Sequence, residues 1–277
     1  MIKSRLAPTP SGFLHRGNAL NFLLTQEVVR RHNGRLLLRI DDIDRGRYRP
    51  EYVTDILISL EWLRIDYDEG PKTLGEFEQQ WSQQHRASRY KEVLEQLRAT
   101  AQLYACNLSR KQIKTLCPDG IYRGEARDKS LSLDTPGVAW RVEVPTDWSV
   151  NPTPGTDFNF SPPSTINLRQ AMGDFVIRKK DGSAAYQLAS LVDDEDFGID
   201  TIVRGEDLLG STAAQLYLAE LLNFFHFRRS VTFYHHPLLT DDDGGKLSKS
   251  AGAASLKAMR EAGLPAPTLA DFSIARP

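Results

Sequence analysis

Apolar residues in the N-terminal third of the chain follow two spacings, which alternate along the sequence. A spacing of three to four residues predicts a helix over 17–33, with Gly34 in the position of a C-terminal cap. The mainly apolar run 35–40 is typical of a buried strand. Pro50 stands where it would begin a second helix, and a third helix is predicted over 81–98. Helices that alternate with buried strands predict an α/β fold with a parallel sheet.

The middle of the chain has a different pattern of residues. Turn-forming residues are frequent from 100 to 174, and 138–144 alternates between apolar and polar residues like a half-exposed strand. The α/β pattern then returns, with strands predicted at 176–178 and 201–204 and a helix over 211–225. The predicted organisation is a catalytic domain in two halves, 1–99 and 175–240, an inserted α+β domain, 100–174, and a C-terminal segment with a short helix, 241–277.

Composition and charge exclude several classes of protein. The chain of 277 residues carries 35 Lys and Arg against 36 Asp and Glu, which excludes a histone-like cation, although acidic surface can still offset a basic face. Two cysteines exclude a disulfide scaffold and fit a reducing cytosol. The start lacks the apolar stretch of a signal peptide, and the apolar run 216–225 is too short to span a bilayer. We therefore expect a cytoplasmic protein without a membrane segment.

A Pro- and Gly-rich loop leads into the first predicted helix and carries a candidate phosphate site. The loop follows Arg5 and contains Gly12 and His15, and the helix begins near Gly17 and Asn18. A helix N-terminus presents free N–H groups and a partial positive charge, both of which suit a phosphate. A histidine in a turn is also commonly structural or merely exposed, so this loop alone leaves both interpretations open.

A second loop, near the C-terminus, combines glycines with two lysines. It has the sequence Asp241-Asp242-Asp243-Gly244-Gly245-Lys246-Leu247-Ser248-Lys249-Ser250. Two ammonium groups three residues apart would stabilise the charge that develops on a leaving pyrophosphate. A solvated surface loop has the same composition, so this loop is also ambiguous when it is taken alone.

Together the two loops resemble the signature motifs of class I aminoacyl-tRNA synthetases, known as HIGH and KMSKS. Other segments narrow the resemblance to the glutamyl and glutaminyl branch of that class. They are 38–44, which reads Leu-Arg-Ile-Asp-Asp-Ile-Asp, and 60–71, 173–178, 186–194 and 203–209. The resemblance spans 1–260 and is weakest over 107–170. It implies a Rossmann-type parallel sheet with an inserted, smaller α+β domain like the acceptor-binding domain of the family.

The resemblance also implies a chemistry and a set of site residues. The α-carboxylate of glutamate would attack the α-phosphorus of ATP, bound with Mg²⁺, to give glutamyl-adenylate and pyrophosphate. The residues implied in glutamate binding are Arg5, Ala7, Thr9, Asp41, Tyr186 and Arg204. The residues implied in ATP binding are His15, Gly17, Asn18 and Lys249, and those implied in catalysis are His15, Lys246 and Lys249.

Some of these residues have a second interpretation. Asp41 stands where the family usually has Glu, so its contact with the α-ammonium of glutamate would be direct or through a bridging water. Outside the family frame, a surface ion pair would explain Arg5 or Arg204, and a core position would explain Tyr186.

Relatives in this family often bind one Zn²⁺ in the inserted domain. Their ligands are two cysteines one residue apart, a tyrosine, and a cysteine four residues after the tyrosine. Here Cys106 and Tyr122 match, but Leu108 and Ala126 replace two ligands, and Cys117 is out of register. Two ligands cannot complete a tetrahedral site, so we expect no structural zinc.

Chain length bears on the branch within the family. The given sequence ends soon after the KMSKS-like loop, so we expect no anticodon-binding domain like those of a glutamyl-tRNA synthetase. The sequence therefore resembles the truncated paralogues called glutamyl-Q tRNA(Asp) synthetases. These enzymes activate glutamate without tRNA and transfer it to the queuosine base of tRNA(Asp).

Two other functions stay open at this point. One is a truncated synthetase that charges the 3′ end of a tRNA, and the other is a non-catalytic tRNA-binding paralogue. We expect a monomer that binds glutamate, ATP and tRNA. The basic residues that would contact phosphates, or would simply be solvated, are Arg110, Lys111, Lys114, Arg228 and Arg229.

Overall fold

The computed structural model describes residues 1–99, 102–128, 130–160, 165–239 and 255–272. The strands are β1 (Lys3–Leu6), β2 (Arg35–Leu38), β3 (Leu103–Cys106), β4 (Ala139–Val142), β5 (Ser149–Val150), β6 (Ile166–Asn167), β7 (Val176–Arg178), β8 (Thr201–Gly205) and β9 (Thr232–His236). The α-helices are α1 (Arg16–Arg31), α2 (Pro50–Trp62), α3 (Leu74–Glu76), α4 (Ala87–Arg98), α5 (Arg110–Leu116), α6 (Leu168–Ala171), α7 (Tyr186–Asp196), α8 (Leu209–Leu222), α9 (Phe225–Ser230) and α10 (Leu256–Glu261). Shorter helical turns are Phe77–Trp81, Gln83–Arg86, Glu206–Leu208 and Leu269–Asp271.

Four strands form the platform beneath the candidate site. β1 pairs in parallel with β2, and β8 pairs in parallel with β9. The two pairs lie side by side, because the backbone N–H of Asp200, just before β8, donates to the carbonyl of Lys3 in β1 at 3.0 Å. The predicted α/β fold with parallel strands is confirmed.

An antiparallel sheet in the order β3–β4–β7 joins two strands of the inserted region to β7, which follows that region in the sequence. Leu103 pairs with Val142, and Trp140 pairs with Arg178. The strand predicted over 138–144 corresponds to β4. The boundary predicted after residue 174 places β7 in the catalytic domain, yet β7 pairs with β4, so a division there would cut through this sheet.

Helix α1 begins for a local reason that the sequence shows. His15 is the N-cap, and its Nδ1 accepts the backbone N–H of Gly17 at 3.1 Å. In return, Oδ1 of Asn18 accepts the backbone N–H of His15 at 3.0 Å. This reciprocal cap satisfies donors that the first turn leaves unpaired. The helix ends at Arg31, and Asn33 takes a left-handed φ of 49°.

Two predicted helices are interrupted. Ser82 has extended backbone (φ −62°, ψ 137°), and its hydroxyl accepts the N–H of Gln84 at 3.2 Å, so the helix predicted over 81–98 yields only α4 after a 3₁₀ turn. The helix predicted over 211–225 ends at Leu222, because Asn223 takes φ 56°. Apolar spacing continues through both breaks, so periodicity alone does not reveal them.

Two buried apolar clusters hold the elements together. One contains Leu6, Leu20 and Ile56 and joins β1, α1 and α2. The other contains Trp140 and Leu188 and joins the antiparallel sheet to α7. Over the described ranges, the helices are all too short or too polar to cross a membrane.

Candidate active site

A cavity of about 530 Å³ opens at the carboxyl ends of β1, β8 and β9. Most of the predicted site residues line it: Arg5, Ala7, Thr9, His15, Gly17, Asn18, Tyr186 and Arg204. This edge is where sheets of parallel strands bind their ligands. Asp41 does not belong to the described lining, and Lys246 and Lys249 lie outside the described residues.

Arg204 is a buried cation with two unused donors. Its side chain is 3% exposed, and Nη1 donates to Oε1 of Gln215 at 2.9 Å. Nε and Nη2 have no hydrogen-bond partner among the described residues. Burial lowers the pKa of Arg204 to about 10, partly offset by its interaction with Tyr186, so the guanidinium stays charged at neutral pH. Nε and Nη2 share one edge of the guanidinium, which matches the two oxygens of a carboxylate.

Arg5 is a second buried cation on the same cavity, and a carboxylate holds it from behind. Its Nε donates to Oδ1 of Asp194 at 2.9 Å, and no other hydrogen bond of its side chain occurs within the described ranges. Burial would raise the pKa of Asp194, but the charges of Arg5 and Arg39 lower it below its usual range. The ionised Asp194 therefore fixes Arg5, whose remaining donors are left to the cavity that it lines.

Asp41 faces Arg39 rather than the cavity. Nε and Nη2 of Arg39 donate to the two carboxylate oxygens of Asp41 at 2.6 and 3.0 Å. Arg39 also donates to Oγ of Ser190 at 3.1 Å and to Oδ1 of Asp194 at 2.6 Å. Burial raises the pKa of Asp41 to about 6, although Arg39 opposes the shift. Direct binding of a substrate ammonium by Asp41 stays a prediction, and in this geometry Asp41 stabilises Arg39.

The start of α1 presents a nitrogen that can bind phosphate. Because Nδ1 of His15 accepts the Gly17 N–H, a neutral ring carries its proton on Nε2. A Cβ at Gly17 would lie 3.0 Å from Nδ1 and Cε1 of His15, so glycine there lets the ring fold back over the helix start. The first predicted constellation is therefore assembled at the cavity as one local unit.

Sequence reasoning missed another part of the lining, around His236. Nδ2 of Asn21 donates to the Val203 carbonyl at 3.1 Å and lies 3.2 Å from Nε2 of His236. Since Nε2 accepts from Asn21, Nδ1 of His236 donates to the Pro237 carbonyl at 2.9 Å. Burial lowers the pKa of His236, which keeps the ring neutral. The signal in the sequence was the run His235-His236-Pro237, which lies at the end of β9, a strand that the apolar spacing did not predict.

Asp194 is a second functional residue that was not predicted from the sequence. Two consecutive carboxylates, Asp193 and Asp194, follow Leu191 and Val192 inside α7, and all four side chains are buried. Buried carboxylates need cationic or hydrogen-bonding partners. The sequence therefore carried a signal for an ion-pair network, but it did not identify the partners.

Cys117 lies close to the two residues that match zinc ligands of the family. Cys106, Cys117 and Tyr122 pack in one small buried cluster, so the structure brings together residues whose sequence spacing was out of register. In the described part of the chain, no group of three or more His, Cys, Asp or Glu side chains is arranged to hold a metal ion. The expectation of no structural zinc stays a prediction.

Comparisons with known sequences show what the chain is similar to. The family model described as tRNA synthetases class I (E and Q), catalytic domain, matches residues 1–134 and 159–276. The chain is 35% identical to the Glutamyl-Q tRNA(Asp) synthetase of Nitratidesulfovibrio vulgaris, over 98% of this chain and 85% of that protein. It is 34% identical to the Glutamate--tRNA ligase of Synechococcus sp. (strain JA-3-3Ab), over 95% of this chain and 54% of that protein.

A solved structure gives the same result. A glutamate tRNA ligase from Elizabethkingia meningosepticum, in complex with its amino acid, matches with a TM-score of 0.72 and 25% identity, over 95% of this chain and 53% of that chain. The chain thus spans about half the length of these two ligases and most of the length of the glutamyl-Q relative. The predicted resemblance to the glutamyl branch, including its glutamyl-Q members, is confirmed.

Proposed function

Because this chain belongs to the family of class I tRNA synthetase catalytic domains for glutamate and glutamine, we propose that it activates glutamate with ATP and transfers the glutamyl group to a tRNA. The first step needs no tRNA and forms glutamyl-adenylate with release of pyrophosphate. The acceptor in the second step is the queuosine base of tRNA(Asp). An enzyme with these substrates acts in the cytoplasm, and we expect it to act as a monomer.

The observation that carries this proposal is the pair of buried arginines on one cavity. The edge of Arg204 formed by Nε and Nη2 has no partner among the described residues, and Arg5 is fixed by Asp194. A buried, unpaired cation is unfavourable unless an anion completes it. A dicarboxylic amino acid supplies such an anion, and the hydroxyl of Tyr186 beside Arg204 adds a donor at the mouth of the cavity.

Activation then requires positioning and charge stabilisation more than a nucleophile from the protein. The α-carboxylate attacks the α-phosphorus of ATP, and the bond between that phosphorus and the bridging oxygen to the β-phosphate breaks. Nε2 of His15, together with the start of α1 at Gly17 and Asn18, would hold phosphate oxygens. Lys246 and Lys249 would stabilise the departing pyrophosphate, and Mg²⁺ would arrive with the nucleotide.

Transfer to the queuosine base is the first candidate because of the names of the relatives. Four relatives named Glutamyl-Q tRNA(Asp) synthetase are 35–38% identical to this chain, and a glutamate ligase is 34% identical. In the transfer step, the bond between the acyl carbon and the phosphate oxygen breaks, an ester to a hydroxyl of the queuosine base forms, and AMP leaves. A tRNA synthetase that charges the 3′ end is the second candidate, because the two identities are nearly equal.

One experiment separates the candidates. The protein is first incubated with ATP, pyrophosphate and glutamate to measure pyrophosphate exchange without tRNA. Labelled glutamate and tRNA(Asp), with or without queuosine, are then added, and the acceptor is located by sensitivity to mild base and periodate. We expect exchange without tRNA and labelling only of the queuosine-containing tRNA.

Each other result points to a different function. Labelling that does not depend on queuosine would indicate charging at the 3′ end. Binding of tRNA without exchange or labelling would indicate a non-catalytic paralogue and would refute the proposal.

A further inference from the structure

A second cavity, of about 460 Å³, lies beside α4 and is not explained by the proposed reaction chemistry. Its lining includes Tyr90 and Lys91 of α4, Trp140 of β4, Arg178 of β7, and Ser183 in the hairpin after β7. Its volume falls in the range of ligand-binding pockets, which is roughly 300–1,000 Å³.

The second cavity adjoins the active-site cavity across a shared wall. In the loop 43–47, Ile43 lines the second cavity and Arg47 lines the first. Deeper in the wall, the hydroxyl of Tyr90 donates to Asp193 at 2.8 Å, while the adjacent Asp194 holds Arg5 of the active site.

Two cations in the second cavity are available to an anion. Lys91 is exposed and Arg178 is half-buried, and neither forms an ion pair within the described ranges. Nη1 of Arg178 donates only to the Val138 carbonyl, at 3.3 Å. The third cation, Arg98, is by contrast already paired with Asp134 and Glu95.

The rest of the lining is mixed: Tyr90, Leu94 and Trp140 are aromatic or apolar, whereas Glu95 and Asp134 carry carboxylates. Tyr90 is 2% exposed and Trp140 is 3% exposed, so both rings form the floor of the cavity. The guanidinium of Arg178 lies 4.9 Å from the centre of the Trp140 ring. Arginine, lysine and aromatic rings in one pocket are the groups that recognise the phosphate and the base of a single-stranded nucleotide.

We propose that the second cavity receives a nucleotide of the tRNA substrate, separate from the nucleotide that accepts glutamate in the first cavity. The proposal rests on the function proposed above, because it takes tRNA as the substrate. Lys91 and Arg178 bind the phosphate, and the base packs against the apolar floor.

Two variants test the proposal through different physical effects. Lys91→Glu reverses an exposed charge at the rim, and Ser183→Phe fills the cavity without changing charge. Arg64→Glu is the control, since it makes the same change of charge at an exposed residue that lines neither cavity. The measurements are pyrophosphate exchange without tRNA, the KM for tRNA in glutamyl transfer, and tRNA affinity as a function of salt.

We expect exchange to stay within about twofold of wild type in all three variants. Lys91→Glu should raise the KM for tRNA by about tenfold and lower the slope of log affinity against log salt by about 1, as for loss of one phosphate contact. Ser183→Phe should raise the KM with an unchanged slope, because it removes no charge. Arg64→Glu should behave like wild type in transfer.

Three outcomes would overturn the proposal. The first is a wild-type KM for tRNA in both Lys91→Glu and Ser183→Phe. The second is a parallel loss of exchange, which would assign the cavity to the glutamate site or to folding. The third is loss of AMP binding with unchanged tRNA binding, which would identify a free mononucleotide as the ligand. If the wild-type protein shows no pyrophosphate exchange at all, the proposed function is wrong. The tRNA affinities of the variants and of wild type then still show whether the second cavity binds tRNA.

Discussion

Two buried arginines at the floor of the site should respond in opposite ways to the same substitution. Arg39 and Arg204 are both 3% exposed. Arg39 is hydrogen-bonded to the carboxylates of Asp41 and Asp194, whereas Arg204 has no carboxylate partner among the described residues. We therefore predict that Arg39→Met destabilises the ligand-free protein and that Arg204→Met does not.

The magnitudes follow from the surroundings of each side chain. Burial that lowers the pKa of Arg204 from its usual value to about 10 corresponds to a cost of about 3 kcal/mol for keeping the charge. Arg204→Met removes this cost but leaves Oε1 of Gln215 without its donor, which costs about 1–3 kcal/mol. The expected result is a gain in the free energy of unfolding of about 0–2 kcal/mol. Arg39→Met leaves the buried Asp41 without its cation and leaves Asp194 with Arg5 alone. It should lower the free energy of unfolding by about 3–5 kcal/mol.

Urea unfolding of both variants without substrate measures these differences. Pyrophosphate exchange as a function of glutamate concentration then tests the role of Arg204. Two charge-assisted hydrogen bonds contribute about 1.5–3 kcal/mol each, so Arg204→Met should raise the KM for glutamate by at least about 100-fold. If Arg204→Met unfolds as easily as Arg39→Met, the reasoning from an unpaired cation is wrong. An unchanged KM would remove Arg204 from the glutamate site.

The remaining predictions concern packing, pH and catalysis. A Cβ at Gly155 would lie 1.9 Å from the ring of Tyr234, so Gly155→Ala should lower the free energy of unfolding by more than about 2 kcal/mol, and a melting temperature like that of wild type would contradict the packing. Burial lowers the pKa of His235 to about 3, and the unfolded chain binds a proton below about pH 6.5. Stability should therefore fall as pH drops from 6.5 towards 3, by at most about 1.4 kcal/mol per pH unit, and His235→Gln should flatten this limb of the stability curve. Lys249→Ala should reduce pyrophosphate exchange by about two orders of magnitude or more while ATP binding changes less. Exchange at the wild-type rate would show that Lys249 has no catalytic role.

Local features of the site could be predicted from the sequence, and distant ones could not. His15, Gly17 and Asn18 were predictable because a helix cap depends on neighbours within three residues. The pairing of Arg5 with Asp194 joins residues 189 positions apart, and no local pattern specifies such a partner. The family resemblance supplied the arginines but not the carboxylate that orients them.

The same distinction applies to the fold. Parallel strands and α1 follow from apolar spacing, which reports burial. The pairing of β7 with β4 depends on which backbone edge is free in three dimensions, and spacing carries no information on that. Spacing along the chain also left Cys117 out of register, although the turn between Cys117 and Tyr122 brings the two side chains together.

The two partners of the ion pair beneath the active site are synthesised at different times on the ribosome. Arg39 and its partner Asp194 are separated by 155 positions. At a translation rate of about 5–20 residues per second, roughly 8–30 seconds pass between synthesis of the cation and synthesis of the carboxylate. Over that interval the nascent N-terminal half carries Arg5 and Arg39 without Asp194, and the ion pairs beneath the cavity form only after α7 has been made.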